Sequence, residues 1–365
     1  MKVLFCLGHP AHFHLFRFVL KELKEKSCRL IIVIKSKDVL EELLENESWE
    51  YENIYPEERS NSKLKIVISL IKRDYKLLKF SRNYKPDLMI GTSTEIARVG
   101  RLLHIPSIVV HEDDANVIIN FSRLTYPFAN TILSPASCNN GRWAAKTVYY
   151  QGYHELSYLH PKYFQPNIEK VRRLTNSPDE KYFIIRFAKL TAHHDIGKKG
   201  ITNELAEQII NKLNLLGKVY ITSERELEPK FEKYRMKIDP SDMHHALAFA
   251  SLYIGDSQTM AAEAAVLGIP SIRFNDFVGK LGYLEELEHK YGLTYGIKTS
   301  QPAELLKKID ELLTIPNLKE KWQKRRQKML SDKIDVTAFM VWFIENYPES
   351  VKVMKENPNY QYRFK

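Results

Sequence analysis

Short apolar segments alternate with amphipathic helical segments along most of this 365-residue chain. In the first half, strands are predicted at residues 3–7, 30–35, 87–90, 107–110, 131–133 and 148–150. Strands that are apolar on both faces are typical of a parallel sheet covered by helices on both sides. The alternation therefore predicts an α/β fold assembled from βαβ units.

A second series of the same kind follows the first. Its predicted strands lie at residues 182–185, 218–221, 252–254, 271–274 and 293–297. Residues 152–180, between the two series, contain three prolines and are typical of an interdomain connection. We expect two Rossmann-like parallel-sheet domains facing a central cleft, at residues 1–160 and 161–345, with a carboxyl-terminal tail at residues 346–365.

The composition restricts the class of protein. Hydrophobic residues make up 44% of the chain and charged residues 27%, as in an ordinary globular protein. The sequence contains no apolar run of eighteen residues, so no membrane-spanning helix is predicted. The amino terminus enters a strand without a signal-peptide pattern, and three scattered cysteines predict reduced thiols. We therefore expect a cytoplasmic protein.

The chain carries a formal net charge of +10, with basic stretches at residues 63–82 and 319–328. Basic surfaces attract nucleic acids, anionic lipid headgroups and anionic small molecules alike. Because no zinc-finger, helix-turn-helix or RNA-binding motif is present, we expect no nucleic-acid partner. Anionic substrates and peripheral contact with the inner membrane surface are the favoured explanations.

The most specific pattern lies at residues 251–274, where a strand leads through a Gly-Asp-Ser corner into an alanine-rich helix. Ser257 is a natural N-cap, so the backbone N–H groups of Gln258 and Thr259 would lie in the first turn without intrahelical acceptors. Such a corner suits a diphosphate, and Glu263 on the same face could accept hydrogen bonds from a sugar diol. The pattern predicts a nucleotide-sugar site.

A capped βαβ helix that binds no ligand is the alternative for this segment, and Glu263 would then face solvent. Arg186 and Lys189 follow the strand at residues 182–185 and could neutralise a diphosphate. They could equally be ordinary solvated side chains. The sequence leaves both explanations open.

Three histidines, His9, His12 and His14, lie at the first strand-to-helix corner. Histidine can act as a general base near neutral pH, and we place His12 ahead of His14 for that role. Histidines that cap or line the loop are the alternative. A metal site is poorly supported by this spacing without nearby thiols, and we expect no metal.

Two further corners carry polar side chains at predicted strand ends. Thr92 and Ser93 could contact an acceptor or cap the following helix. His111, Glu112 and Asp113 could hold acceptor hydroxyls, and both carboxylates rival His12 as the base. A solvated acidic loop is the alternative for the second corner.

Four segments occur in the order found in an uncharacterised family of glycosyltransferase-like proteins of bacteria and archaea. They are the Gly-His-Pro-Ala-His opening at 8–12, the Gly-Thr-Ser corner at 91–93, and residues 152–159 and 255–270. Over residues 1–345 the chain resembles that family, which has the GT-B fold. The resemblance implies two Rossmann-like domains and a nucleotide-sugar ligand.

Two better-understood enzymes of the same superfamily are similar in outline. Similarity to the N-acetylglucosaminyltransferase that makes lipid II implies that Glu263 binds the uridine ribose, that residues 257–259 lie near the diphosphate, and that His12 is the first-corner histidine. Similarity to the non-hydrolysing UDP-N-acetylglucosamine 2-epimerase implies that His193 and Glu112 correspond to residues of that enzyme's motifs. The chain lacks that epimerase's arginine in the first corner and its acidic residue in the corner at residues 91–93.

The predicted function is a metal-independent glycosyltransferase that uses a nucleotide-sugar donor, most simply a UDP-sugar, in surface-polysaccharide or glycolipid assembly. We expect a glycan or lipid-linked acceptor and no cofactor beyond the donor substrate, and a homodimer is compatible with the sequence. A sugar-nucleotide epimerase or hydrolase on the same fold is one alternative. A nucleotide-sugar-binding protein without catalysis is the other.

Overall fold

The computed structural model describes residues 1–36, 39–55, 63–175, 177, 180–188 and 200–365, and for residues 63–67 it describes the backbone alone. The chain forms two compact units. Unit 1 consists of Met1–Tyr163 and Ile334–Lys365, and unit 2 of Phe164–Lys333. The sequence-based second domain ran to residue 345, whereas the chain from Ile334 onward packs with unit 1.

Within the described residues, unit 1 contains a seven-stranded parallel sheet. Its strands are β1 (Lys2–Leu7), β2 (Arg29–Ile34), β3 (Glu52–Asn53), β4 (Leu88–Gly91), β5 (Ser107–Val110), β6 (Thr131–Pro135) and β7 (Thr147–Tyr150). They are ordered β3-β2-β1-β4-β5-β6-β7, so the chain builds outward from β1 on one side and then from β4 on the other. The topological switch point of this sheet lies between β1 and β4.

Helices cover both faces of this sheet, as its apolar strands require. They are α1 (Pro10–Glu25), α2 (Leu40–Asn46), α3 (Lys63–Tyr84), α4 (Thr94–Leu103), α5 (Ile119–Thr125) and α6 (Leu156–Leu159). Helix α1 buries Phe13, Phe16, Val19 and Leu20 on one face, at the three- and four-residue spacing seen in the sequence.

Unit 2 contains a five-stranded parallel sheet within the described residues. Its strands are β8 (Tyr182–Phe187), β9 (Lys218–Ser223), β10 (Leu252–Gly255), β11 (Ser271–Phe274) and β12 (Thr294–Ile297). The order β12-β11-β10-β8-β9 places the switch point between β8 and β10.

The helices of unit 2 are α7 (Asn203–Leu213), α8 (Pro229–Glu232), α9 (Met243–Phe249), α10 (Gln258–Leu267), α11 (Gly282–Glu285), α12 (Pro302–Leu313) and α13 (Leu318–Asp332). Helix α10 is buried along almost its whole length. The side chains of Gln323 and Arg326 on α13 donate to its last carbonyls, at 3.0 Å from Leu267 O and 2.8 Å from Val266 O. Both ends of α10 are therefore fixed, since Ser257 caps the other.

The carboxyl-terminal segment forms α14 (Val336–Glu345), α15 (Glu349–Glu356) and a 3-10 helix at Pro358–Phe364. It packs on unit 1: the Thr337 hydroxyl donates to Ser157 O at 2.7 Å, and the Gln361 side chain accepts from the Gln151 N–H at 2.6 Å. Residues 346–365, expected as a tail, thus belong to a folded unit. Among the described residues, no helix combines the length and apolar character needed to cross a bilayer.

Candidate functional site

Each sheet carries polar side chains at its switch point, where open α/β sheets bind ligands. In unit 2 this point lies between β8, which bears Arg186, and β10, which ends at Gly255. In unit 1 it lies between β1, which leads to His12, and β4, which leads to Thr92. Arg186, His12 and Thr92 therefore lie where the topology favours binding, whereas residues 111–113 follow β5.

The corner between β10 and α10 has the capped helix start that the sequence predicts. The Ser257 hydroxyl accepts a hydrogen bond from the Met260 N–H at 3.4 Å. The amides of Gln258 and Thr259 lie in the first turn, where a helix offers them no backbone acceptor. The Gln258 side chain donates to Asn275 Oδ1 at 3.2 Å. The arrangement leaves the positive end of α10 suited to an anion.

Asp256 precedes the cap and is a buried carboxylate that the sequence analysis did not assign. It accepts hydrogen bonds from the N–H groups of Ala188 at 2.5 Å and Ile201 at 3.3 Å. Burial raises the pKa of Asp256 to about 6. Lys189 and His193 fall between those two segments, outside the described residues, and their donor-site roles stay predictions.

Arg186 lies directly beside Gly255 in the paired strands. Its guanidinium donates to Thr222 Oγ1 at 2.6 Å and forms an ion pair with Glu224. A Cβ on Gly255 would lie 2.8 Å from Arg186 Cβ, so only glycine leaves room for this arginine. Arg186 is thus adjacent to the corner and has partners within unit 2, and its contact with a diphosphate stays a prediction.

Glu263 is buried, with 5% of its surface exposed, and so does not face solvent. Its Oε1 lies 3.0 Å from Nε2 of His244 on α9, which is also buried. A buried carboxylate needs such polar partners. The pair holds the Glu263 carboxylate in a fixed position on α10, where it could also accept hydrogen bonds from ligand hydroxyls.

His12 and Thr92 meet at the switch point of unit 1. Nδ1 of His12 accepts the Gly8 N–H at 3.1 Å, and Thr92 Oγ1 lies 2.7 Å from Nδ1 and 2.8 Å from Nε2. Because Nδ1 accepts from an amide, the neutral ring carries its proton on Nε2. In this tautomer His12 presents a hydrogen-bond donor.

The other predicted residues at the corners of residues 8–14 and 91–93 make structural contacts within unit 1. His9 caps α1, because its Nδ1 accepts the Ala11 N–H at 3.1 Å. The His14 ring packs against the ring of Tyr158, with centroids 5.4 Å apart. The Ser93 hydroxyl donates to Cys6 Sγ at 3.3 Å. A role for these three side chains in acceptor binding stays a prediction.

The loop after β5 contains a pairing that the sequence analysis missed. Oε2 of Glu112 accepts the backbone N–H of His154 at 3.2 Å, and Oε1 lies 3.4 Å from Nδ1 of that histidine. His111 Nδ1 accepts the N–H of Asp113 at 3.1 Å. The Asp113 side chain remains 26% exposed, whereas that of Glu112 is 13% exposed. Asp113 is therefore the more accessible carboxylate.

Within the described residues, Glu285, Glu288 and His289 are the group with metal-ligand spacing. The buried Arg273 guanidinium contacts both carboxylates, at 3.4 Å from Glu285 and 2.6 Å from Glu288. The guanidinium already supplies positive charge to this cluster. We therefore assign no metal to it.

The structure predicts a specific pH dependence of stability through His154. Burial lowers the pKa of this side chain to about 3, whereas histidine in an unfolded chain titrates near a pKa of about 6.5. Below a pH of about 6.5 the unfolded chain therefore binds a proton at His154 that the folded chain does not bind. The free energy of unfolding falls as the pH decreases from about 6.5 toward 3 and is unaffected by this group above about 6.5. Between pH 7.5 and 5, urea titrations should show a loss of about 2 kcal/mol in the free energy of unfolding from this group.

The His154→Gln variant is the control, because glutamine cannot titrate. Its free energy of unfolding should depend less on pH than that of the wild type by the same amount. Asp256 titrates in both proteins, so its effect cancels from the difference. Identical pH dependence in the two proteins would contradict a buried neutral His154.

Two glycines at neighbouring strand ends should respond differently to alanine. A Cβ on Gly91 would lie 2.6 Å from the carbonyl oxygen of Cys6 on the adjacent strand, whereas the nearest atom to a Cβ on Gly8 is 3.9 Å away. Gly91→Ala should therefore lower the free energy of unfolding by about 1–3 kcal/mol. Gly8→Ala should change it by less than about 0.5 kcal/mol. Equal denaturant midpoints for the two variants would show that the β1–β4 contact is not this close.

Comparison with known proteins begins with a family model, described as "Protein of unknown function (DUF354)", that matches residues 1–344. The chain belongs to the DUF354 family. No curated protein sequence matches it.

Solved structures similar to this family member include UDP-GlcNAc 2-epimerase from Neisseria meningitidis bound to UDP-GlcNAc. The identity is 16%, the TM-score 0.66, and the match covers 88% of this chain and 94% of the epimerase. MurG from Acinetobacter baumannii matches at 15% identity and a TM-score of 0.58, over 95% and 99% of the two chains. The spinosyn rhamnosyltransferase SpnG, complexed with thymidine diphosphate, matches at 13% identity and a TM-score of 0.63. The match covers 95% of this chain and 100% of SpnG. The GT-B fold predicted from the sequence is confirmed.

Proposed function

We propose that unit 2 binds a nucleoside diphosphate sugar and that the protein transfers the sugar to an acceptor hydroxyl. The observation that carries the proposal is the capped start of α10 at the switch point, with Arg186 beside it and the buried Glu263 on the same helix. Fold neighbours with UDP-GlcNAc or thymidine diphosphate bound support the choice of ligand class.

In this proposal the first-turn amides of Gln258 and Thr259 and the positive end of the helix bind the diphosphate, with Ser257 holding the turn. Arg186 adds positive charge, and Lys189 and His193 are assigned to the same donor site. Arginine, lysine and histidine side chains can stabilise the negative charge that develops on the leaving diphosphate, so no metal ion is required for this role. Glu263 accepts hydrogen bonds from the ribose hydroxyls.

The transfer step forms a bond from the acceptor oxygen to the anomeric carbon and breaks the bond from that carbon to the diphosphate. The nucleoside diphosphate leaves with the bonding electrons, and a base takes the proton of the acceptor hydroxyl. The His12 tautomer supports a donor role for His12, to Thr92 Oγ1 at 2.8 Å and, when a substrate is bound, to one of its oxygens. We therefore assign the base to Asp113, with Glu112 and His12 as alternatives.

The acceptor is proposed to be a glycan or a lipid-linked molecule, in surface-polysaccharide or glycolipid assembly on the cytoplasmic side of the membrane. His9, His14, Thr92, Ser93 and His111 are the residues assigned to the acceptor side. The types of these residues suit hydrogen bonding to hydroxyl groups. A homodimer stays a prediction.

A sugar-nucleotide epimerase is the second candidate, and one observation favours it. Two carboxylates, Glu112 and Asp113, follow the same strand, and the neutral His154 lies against Glu112, which suits proton abstraction and return on a sugar. An epimerase would need no acceptor. The two candidates therefore differ in what they require.

One experiment separates the candidates. The purified protein is incubated with a panel of UDP- and TDP-sugars, with and without a membrane lipid and glycan extract. A transferase moves labelled sugar into the extract and releases nucleoside diphosphate only when the extract is present. An isomerised donor in the absence of extract would identify an epimerase. Donor binding without turnover in either arm would identify a binding protein and overturn the catalytic proposal.

A further inference from the structure

Helix α3 of unit 1 presents apolar and basic side chains together to solvent. Ile71 and Tyr75 are 63% and 64% exposed, although large apolar side chains are usually buried. Lys72 and Lys79 are exposed on the same side of the helix, because positions three, four and seven apart share a face. Leu77 faces the opposite way and is fully buried, which fixes the orientation of α3 on its unit.

The neighbouring helices α4 and α5 continue this surface. Arg98 on α4 donates to both carboxylate oxygens of Asp74 on α3, each at 2.7 Å, and to the Leu124 carbonyl on α5 at 3.4 Å. Exposed large apolar side chains lie on or just after these helices. They are Leu102, Ile119, Leu124 and Phe128. We refer to the exposed side chains of α3, α4 and α5, together with Phe128, as the α3–α5 face.

The exposed charge on the α3–α5 face is positive. The three helices contain two carboxylates, Asp74 and Glu95, by sequence. Asp74 pairs with Arg98, and the buried Glu95 pairs with Arg73 at 2.9 Å. Both acidic residues of the three helices are therefore paired with arginines, and the remaining exposed lysines and arginines give this face a net positive charge.

We infer that the α3–α5 face docks on the surface of an anionic phospholipid bilayer. Apolar side chains interleaved with basic ones match the two layers of such a surface, because the former enter the acyl boundary and the latter meet lipid phosphates. A nucleic acid would use the basic groups but would not bury Ile71 and Leu102. The lysines of α3 would repel those of a second copy of this chain across an interface.

The face also adjoins the polar edge of unit 1. The Phe121 ring on α5 lies 4.7 Å from the His111 ring, in the loop that precedes the helix. Docking would therefore bring this edge close to the headgroup layer. Vesicle binding is measured without donor or acceptor, so its outcome is independent of the chemistry proposed above.

Vesicle flotation with the full chain tests the docking. Vesicles of phosphatidylcholine with 30% phosphatidylglycerol should carry the protein to the top of the gradient, and pure phosphatidylcholine vesicles should not. Lys72→Gln with Lys79→Gln should weaken binding about 30-fold, which corresponds to about 1 kcal/mol for each lysine. The same change at the exposed Lys321 and Lys324 of α13 is the matched control and should have less than a threefold effect. Equal losses from both pairs would overturn a specific face.

A second pair of variants tests the apolar contribution. Ile71→Ser with Tyr75→Ser should weaken binding at least tenfold, and the binding that remains should disappear in high salt, because only the screened electrostatic attraction is left. Leu215→Ser with Leu216→Ser, at exposed positions of unit 2, is the control. Unchanged vesicle binding in the Ile71 and Tyr75 variant would overturn the inference. Binding to single-stranded RNA but not to vesicles, or loss of self-association in that variant without vesicle binding in the wild type, would also overturn it.

Discussion

Replacing Glu263 with glutamine is expected to weaken the binding of UDP, which carries both ribose hydroxyls, by about 10- to 150-fold. Glutamine keeps the shape of the side chain and removes its charge, and hydrogen bonds to a charged group contribute about 1.5–3 kcal/mol. The affinity is measured by calorimetric titration of the variant and the wild type. The melting temperature without nucleotide reports any loss of stability from the change beside His244.

Glu95→Gln is the matched control for this prediction. Glu95 is also a buried glutamate with a basic partner, but it lies in unit 1 beside Arg73. Its replacement should lower the melting temperature to a similar extent and leave the nucleotide affinity unchanged. Equal nucleotide affinity of the Glu263 variant and the wild type would remove Glu263 from the proposed ribose site.

Replacing Asp113 with asparagine is expected to lower the turnover number about 100- to 10,000-fold, with little change in donor affinity, because a general base contributes that much to rate. The limb of the pH–rate profile that reports deprotonation of the base should also disappear. Glu112→Gln should have a smaller effect on turnover, since the Glu112 oxygens already contact His154. Rates are measured with the acceptor fraction found in the transfer assay.

His12 provides the contrasting case. Glutamine at this position can place an N–H near the site of Nε2, so His12→Gln should keep turnover within about tenfold of the wild type, whereas His12→Ala should lose considerably more. The reason is that the Gly8 amide occupies Nδ1 and leaves Nε2 as a donor. If both variants lose turnover equally and the pH–rate limb disappears, His12 is the base and the assignment to Asp113 is wrong.

The sequence predicts the repeating part of this fold well. The apolar strands and the helix cap at Ser257 are determined by local patterns of two to ten residues. The structure has β10 and the start of α10 at the positions that these patterns predict. Strand β3 is missed because its two residues are both polar, so no apolar alternation marks it. Helix α1 begins at Pro10, three residues before its first buried apolar side chain, Phe13, because the His9 side chain caps it.

The pairings of the candidate site could not be read from local patterns. His244 meets Glu263 from another helix, and His154 meets Glu112 from a strand end 42 residues away. The periodicity of α14 predicts a helix but does not specify which sheet it covers, so the unit to which residues 334–345 belong was not predictable. Likeness of fold alone does not specify the chemistry, which depends on these side chains.

Calorimetric titration of the wild-type chain with UDP, TDP and their sugars tests the central claim most directly. We expect saturable one-site binding of at least one of these ligands, weakened at least tenfold in Glu263→Gln and unchanged in Glu95→Gln. Absence of binding for every ligand of the panel would contradict a nucleotide-sugar site at the start of α10, and equal binding by the Glu263 variant would contradict the ribose contact assigned to that site.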